Sequence, residues 1–107
     1  IGPAIERARR AIGHMVKLEV EVENLAQLQV SLAAGVDAVL LDNMAPPLLA
    51  EAVAMIAGRA ISEASGRITR ETAAAVAATG VDVISAGWIT HSAPALDLGL
   101  DLEATPA

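Results

Sequence analysis

The chain has 107 residues, 54% of them hydrophobic but only 1% aromatic, with no cysteine and a net charge of −6. That length holds one domain or a piece of one, and the composition excludes disulfides and thiolate metal sites. Seven scattered basic residues argue against a nucleic-acid surface, and no apolar run approaches the ~18 residues of a membrane span.

Residues 3–12 predict a helix: Pro3 suits the first helical position, and Ala4, Ile5, Ala8, Ala11 and Ile12 recur at helical spacing. The segment carries Arg7, Arg9 and Arg10 and has no apolar centre or cleavage site, so no secretory leader is expected and a cytoplasmic protein is. After Gly13, residues 16–22 alternate, with Val16, Leu18, Val20 and Val22 on one face and Lys17, Glu19 and Glu21 on the other, which predicts a strand. Asn24 is a good N-cap for a helix over 25–34, and Gly35 ends it. The cycle then repeats: a strand over 36–41, a helix from Pro46-Pro47 to 57, and a short strand over 60–63. Thr69 caps a helix to 79, a fourth strand covers 81–85, and Ser92-Ala93-Pro94 is expected to open a last short helix.

Strands that alternate with helices imply parallel pairing through right-handed crossovers. The Val/Ile/Leu-rich strands suggest a sheet covered on both faces. Glu21, Asp42 and Glu63 recur at intervals of 21 residues, and the phrase Gly-Val-Asp occurs at Gly35 and again at Gly80. Such regularity suits a closed barrel of βα units or an open doubly wound sheet, and periodicity alone leaves both open.

The polar residues fall at or just beyond the C-terminal strand ends: Glu21 and Glu23, Asp42 and Asn43, Glu63, Ser65 and Gly66, then Gly87 and His91. Ligands bind at that edge in both architectures. Glu19 and Glu21 share a face; they either look into a barrel, where a cation or hydroxyls must offset their desolvation, or into solvent. Asp42 ends an apolar strand, as a site anion or as a turn aspartate. Glu63-Ala64-Ser65-Gly66 offers a hydroxyl and backbone N–H groups, or is an ordinary βα turn. Gly87 lets a ligand approach bare backbone, and a helix opening at Ser92 would add N–H donors for an anion. His91 is a phosphate donor or a surface histidine, and His14 reads as plain surface. The two Gly-Val-Asp phrases thus lead to opposite ends of one ligand: an anion at Asp42, with Glu21, and space with N–H donors at Gly87. A sugar phosphate with a cation-like anomeric carbon has both ends.

In order and spacing, EVEVEN (19–24), VLLDNM (39–44), EASG (63–66), TGVDVISAG (79–87) and THSAPALDLGLD (90–101) resemble the C-terminal part of the quinolinate phosphoribosyltransferases, also called carboxylating nicotinate-nucleotide pyrophosphorylases. The resemblance implies an α/β fold, the four strands predicted here being part of an incomplete TIM-like α/β barrel over residues 1–102, with 103–107 a tail. It implies phosphoribosyl transfer from phosphoribosyl pyrophosphate to quinolinate with Mg²⁺, giving nicotinate mononucleotide, pyrophosphate and CO₂ in NAD biosynthesis. Glu21 and Asp42 match the catalytic acidic pair near ribose and Mg²⁺. Ser65, Gly66, Arg67, Gly87, the backbone of Trp88 and Ile89, and His91 match the 5′-phosphate cradle. Arg67 stands where the family often has Gly or Asn, and either adds charge to the phosphate or points to solvent. Trp88 stands where Ala is common and narrows the loop.

The family's lysine ahead of Ile1, the arginines and histidine that hold quinolinate, and the N-terminal domain fall outside this sequence. The chain is therefore expected to be inactive alone, and to self-associate or be marginally stable. Its site is expected to be shared between subunits of a homodimer or larger assembly. Two other readings stay open: a non-catalytic phosphate-binding half-barrel that completes a partner chain, and a related transferase acting on another base.

Overall fold

The computed structural model describes residues 1–100. Helix and strand alternate throughout: α1 Gly2–Ala11, β1 Glu19–Val22, α2 Leu25–Ala33, β2 Ala38–Asp42, α3 Pro46–Ile56, β3 Ile61–Ser65, α4 Arg70–Ala77, β4 Val83–Ile84 and α5 Trp88–His91. The expected tail at 103–107 lies outside the described residues.

Local chemistry sets the helix ends. Asn24 Oδ1 accepts the Gln27 N–H at 2.9 Å, and Gln27 Oε1 accepts the Glu23 N–H at 2.8 Å, so two otherwise orphaned donors at the start of α2 are satisfied reciprocally. Pro sits in the first turn of α1 and α3. At α4 the Thr72 hydroxyl accepts the Thr69 N–H at 2.9 Å.

All four strands are parallel, in the order β1-β2-β3-β4. Right-handed crossovers between strands laid down in sequence, never reversing, put the connecting helices α2, α3 and α4 on the same side. A doubly wound sheet needs a reversal of strand order. The sheet is therefore singly wound, a segment of barrel wall. One face packs Val22, Val39, Leu41 and Ala64 against Leu28, Leu49, Ala52, Ile56 and Val76 of the helices, all buried. The expectation of a sheet covered on both faces is corrected here: the other face presents Glu19, Glu21, Leu40, Asp42, Ile61, Glu63, Ser65 and Val83, all half-buried or exposed. None of the connecting helices lies over that face because winding in one direction leaves it none.

Both Gly-Val-Asp phrases do the same structural work at the N-terminal edge. Gly35 (φ 78°) and Gly80 (φ 86°) take the left-handed conformation that turns the chain out of a helix. Two residues on, Asp37 accepts the Leu18 N–H at 2.8 Å, and Asp82 accepts the Ser62 N–H at 2.8 Å and the Ser62 hydroxyl at 2.6 Å. Arg9 reinforces the first clamp with bonds to Asp37 at 2.8 Å and to the Gly35 carbonyl at 2.7 Å.

Most boundaries move by a residue or two, the strand expected over 60–63 running Ile61–Ser65 and that over 36–41 running Ala38–Asp42, and three shifts change the reading. The strand expected over 16–22 begins at Glu19, because the Val16 N–H closes a turn on the Gly13 carbonyl at 3.0 Å. The strand expected over 81–85 shrinks to Val83–Ile84, flanked by Asp82, whose side chain and N–H bond Ser62, and by Ser85, whose N–H bonds the Ala64 carbonyl. The last helix does not open at Ser92. It runs Trp88–His91, with the Gly87 carbonyl accepting from the Thr90 and His91 N–H groups and from the Thr90 hydroxyl, and Ser92 ends it.

Candidate active site

The register lines up the strand ends. Glu21 pairs with Leu40, Leu40 with Glu63, and Asp42 with Ser65. Odd-numbered residues of β1 and β3 and even-numbered residues of β2 point to the uncovered face, so Glu21, Asp42 and Ser65 arrive on one surface by alternation alone. Two groupings result.

The first is acidic. Glu21, Glu23 and Asp42 each offer a carboxylate oxygen within 4.8 Å of the others. Like charges at ~4 Å repel by about 4 kcal/mol at an effective dielectric near 20, so the cluster gains from a cation. The donors are all hard oxygens, two exposed and one half-buried, which suits Mg²⁺ keeping part of its water shell. Asn43, held at φ 52°, donates from Nδ2 to Asp42 Oδ2 at 2.6 Å and fixes that carboxylate. The residues fit a divalent cation. Glu23 is the member missing from the expected pair; it extends the Glu19, Glu21 alternation by one more step. Glu19 lies below, and burial first, then the charge and hydrogen bonding of Glu63, push its carboxyl above the ordinary range.

The second is a pocket of about 360 Å³ beside it, walled on one side by Ser65, Gly66, Arg67, Ile68 and Thr69 and on the other by Ser85, Gly87, Trp88 and His91. Gly66 (φ 93°) and Arg67 (φ 51°) form a tight left-handed turn into α4. A side chain on Gly66 would run into Asn43, whose N–H is bonded to the Ser65 carbonyl at 3.0 Å, so the two groupings touch through this glycine. Among the described residues the Gly66, Arg67, Gly87 and Trp88 N–H groups make no backbone hydrogen bond. Gly87 has an ordinary φ of −58°; what it provides is room, since a Cβ there would meet His91 Nε2 at 3.0 Å.

Six of the expected cradle residues, Ser65, Gly66, Arg67, Gly87, Trp88 and His91, therefore line one pocket. Ile89 stands off it, exposed, with its N–H bonded to the Ala86 carbonyl at 3.2 Å. Ser85 and Thr69 line the pocket without having been singled out. Ser85 was detectable, lying two residues before Gly87 on the same face as Val83.

Comparison with known proteins fits this arrangement. Residues 1–101 match the family model described as quinolinate phosphoribosyl transferase, C-terminal domain. A probable carboxylating nicotinate-nucleotide pyrophosphorylase of Bacillus subtilis is 41% identical over 99 residues, 92% of this chain and 34% of the relative. The carboxylating nicotinate-nucleotide pyrophosphorylase of Rattus norvegicus is 38% identical over 104 residues, 94% of this chain and 35% of the relative. The solved nicotinate-nucleotide pyrophosphorylase of Francisella tularensis superposes with a TM-score of 0.83 at 39% identity, covering 91% of this chain and 35% of that one. The chain thus spans about a third of the length of these relatives. Among the described residues no helix is long and apolar enough to cross a membrane. With the whole of residues 1–101 matched, the chain belongs to the quinolinate phosphoribosyl transferase family, in its C-terminal domain.

Proposed function

We propose that this chain carries the ribose-phosphate side of a phosphoribosyltransferase site that converts quinolinate and phosphoribosyl pyrophosphate to nicotinate mononucleotide, pyrophosphate and CO₂. The observation that carries this reading is the juxtaposition of a carboxylate trio and a donor-lined pocket on one sheet edge, bridged at Asn43 and Gly66. Ser65, Gly66, Arg67, Gly87, Trp88 and His91 hold the 5′-phosphate. Glu21 and Asp42 face the ribose and stabilise positive charge that develops at its anomeric carbon as the pyrophosphate bond breaks. The same two carboxylates, with Glu23, would hold Mg²⁺, which when bound neutralises charge on the departing pyrophosphate.

Quinolinate brings two carboxylates that need cations. Of the seven basic residues, Arg7, Arg9 and Arg10 lie on α1, Lys17 and Arg59 lie with Asp37 and Asp82 at the opposite edge, Arg67 belongs to the phosphate pocket, and Arg70 opens α4 outside it. We assign the quinolinate contacts to groups outside these 107 residues, in a site shared between subunits of a homodimer or larger assembly.

A second reading has its own observation: Ile61 and Val83 lie exposed on the uncovered face with Leu40 half-buried, as in a half-barrel that completes a partner chain without doing chemistry. Titration with phosphoribosyl pyrophosphate, followed by Trp88 fluorescence, separates the two. Binding that strengthens with Mg²⁺ and is lost in Asp42→Ala supports the transferase site. Phosphate binding indifferent to Mg²⁺ supports the module.

A further inference from the structure

Ser85 and Glu63 have no part in the assignments above. Ser85 follows β4 directly, its N–H bonded to the Ala64 carbonyl at 2.9 Å, and its side chain lines the phosphate pocket. Glu63 is the register partner of Val83, so Glu63 and Ser85 share the uncovered face. The Ser85 hydroxyl donates to Glu63 Oε1.

A serine hydroxyl has one proton to give. With that proton on Glu63, the Ser85 oxygen can only accept. Of the other lining groups, the Thr69 hydroxyl likewise gives its proton to a carboxylate, Glu71 at 2.7 Å, whereas the Ser65 hydroxyl can donate, the Arg67 guanidinium can only donate, and the N–H groups of Gly66 and Gly87 make no backbone hydrogen bond. Donors are present on both walls; Ser85 is the acceptor that faces Ser65, Gly66 and Arg67 across the pocket, with a carboxylate behind it. The dianionic phosphate of an ester offers only acceptors and cannot use Ser85, and the Glu63 charge disfavours any phosphate there. A hydroxyl on the alcohol part of a phosphate ester can donate to it.

We propose that Ser85, its proton committed to Glu63, is a specificity residue that accepts a hydrogen bond from a sugar hydroxyl of the ligand. The pocket then selects phosphate esters of polyols over phosphate itself. This rests on the phosphate-pocket reading given above, and the test separates the two.

The full 107-residue chain is titrated with ribose 5-phosphate and, separately, with inorganic phosphate. Trp88, the single aromatic residue and part of the pocket wall, supplies the fluorescence signal. The unmodified chain should prefer ribose 5-phosphate. Ser85→Ala should weaken ribose 5-phosphate binding about 5–10-fold, the worth of one hydrogen bond, and leave phosphate binding unchanged. Glu63→Gln removes the charge at constant size, so phosphate should bind more tightly and the preference should narrow; this variant decides the matter if Ser85→Ala does not fold. Equal weakening of both ligands by Ser85→Ala would make Ser85 a phosphate contact and overturn the proposal. An unchanged preference in both variants would overturn it as well. An unmodified chain that binds neither ligand would remove the pocket reading itself.

Discussion

Gly66→Ala tests whether the acidic cluster and the phosphate pocket are mechanically joined. Gly66 sits at φ 93°, and an added Cβ would lie 2.6 Å from Asn43 Cγ and 2.8 Å from the Asn43 backbone nitrogen. Both separations are below any real carbon contact. Holding alanine in this region of φ costs about 1–3 kcal/mol. Moving Asn43 away stretches its N–H bond to the Ser65 carbonyl, worth about 1 kcal/mol. The expected loss is about 2–4 kcal/mol. With a urea m-value of about 1–3 kcal/mol/M, the unfolding midpoint drops by on the order of 1–2 M. Circular dichroism in urea measures it. Because Asn43 also orients Asp42, Mg²⁺ affinity should fall in the same variant. A second substitution sharpens the test: Asn43→Gly removes the side-chain part of the collision but leaves the backbone nitrogen in place, so Gly66→Ala with Asn43→Gly should recover only part of the loss. An unchanged midpoint in Gly66→Ala, or full recovery in the double variant, would refute the backbone argument.

Three further outcomes are expected. Asp42→Asn should weaken Mg²⁺ binding about 10–100-fold by calorimetry, as expected for a lost charged ligand, while phosphate still binds in the adjoining pocket. Gly87→Ala, at an ordinary φ, should fold normally; its Cβ displaces the His91 ring, and phosphate affinity by Trp88 fluorescence should drop about 3–10-fold. The Ser62 hydroxyl and N–H hold the Asp82 carboxyl below its usual range, and the Leu18 N–H followed by Arg9 does the same for Asp37. A depressed carboxylate pKa contributes stability that is full above the unfolded value and is lost as pH falls through the folded one. The urea midpoint should therefore decline as pH drops below about 4, and Asp82→Asn should show a shallower decline; identical acid limbs would count against the clamp.

The alternation of strand and helix was legible because each βα unit carries its own punctuation: Asn24 and Thr69 at helix starts, Gly35 and Gly80 at helix ends. The site edge was legible because Asp42 closes an apolar run, Glu21 lies near the end of an alternating strand, and Ser65-Gly66 lie just past the predicted third strand. Which face of the sheet is covered was not. Strands such as Ala38-Val39-Leu40-Leu41 look apolar on both sides, and the one-sided covering comes from strand order, which no single unit encodes. The repeated Gly-Val-Asp drew attention to where each phrase ends, at Asp42 and Gly87, whereas the aspartates themselves bind backbone 19 and 20 residues earlier, a non-local pairing. Ser92-Ala93-Pro94 has good local credentials for a helix start, but the Thr90 hydroxyl folding back on the Gly87 carbonyl closes the turn earlier.

The Ser62–Asp82 contact bears on how β3 and β4 find each other. Their ladder is two residues long, so it specifies little by itself. Sliding one strand by two residues would preserve which side chains face the helices and shift the chain by about 6.6 Å. Apolar patterning cannot penalise that slip. Asp82 can, because a two-residue shift offers it Ala60 or Ala64, neither of which has a hydroxyl, and leaves Ser62 buried without its partner. The same slip would carry Gly87 and His91 away from Ser65 by the full shift and pull the phosphate pocket apart. A serine at the far edge of the sheet, touching no ligand, thereby acts as the alignment pin for the two walls of the site.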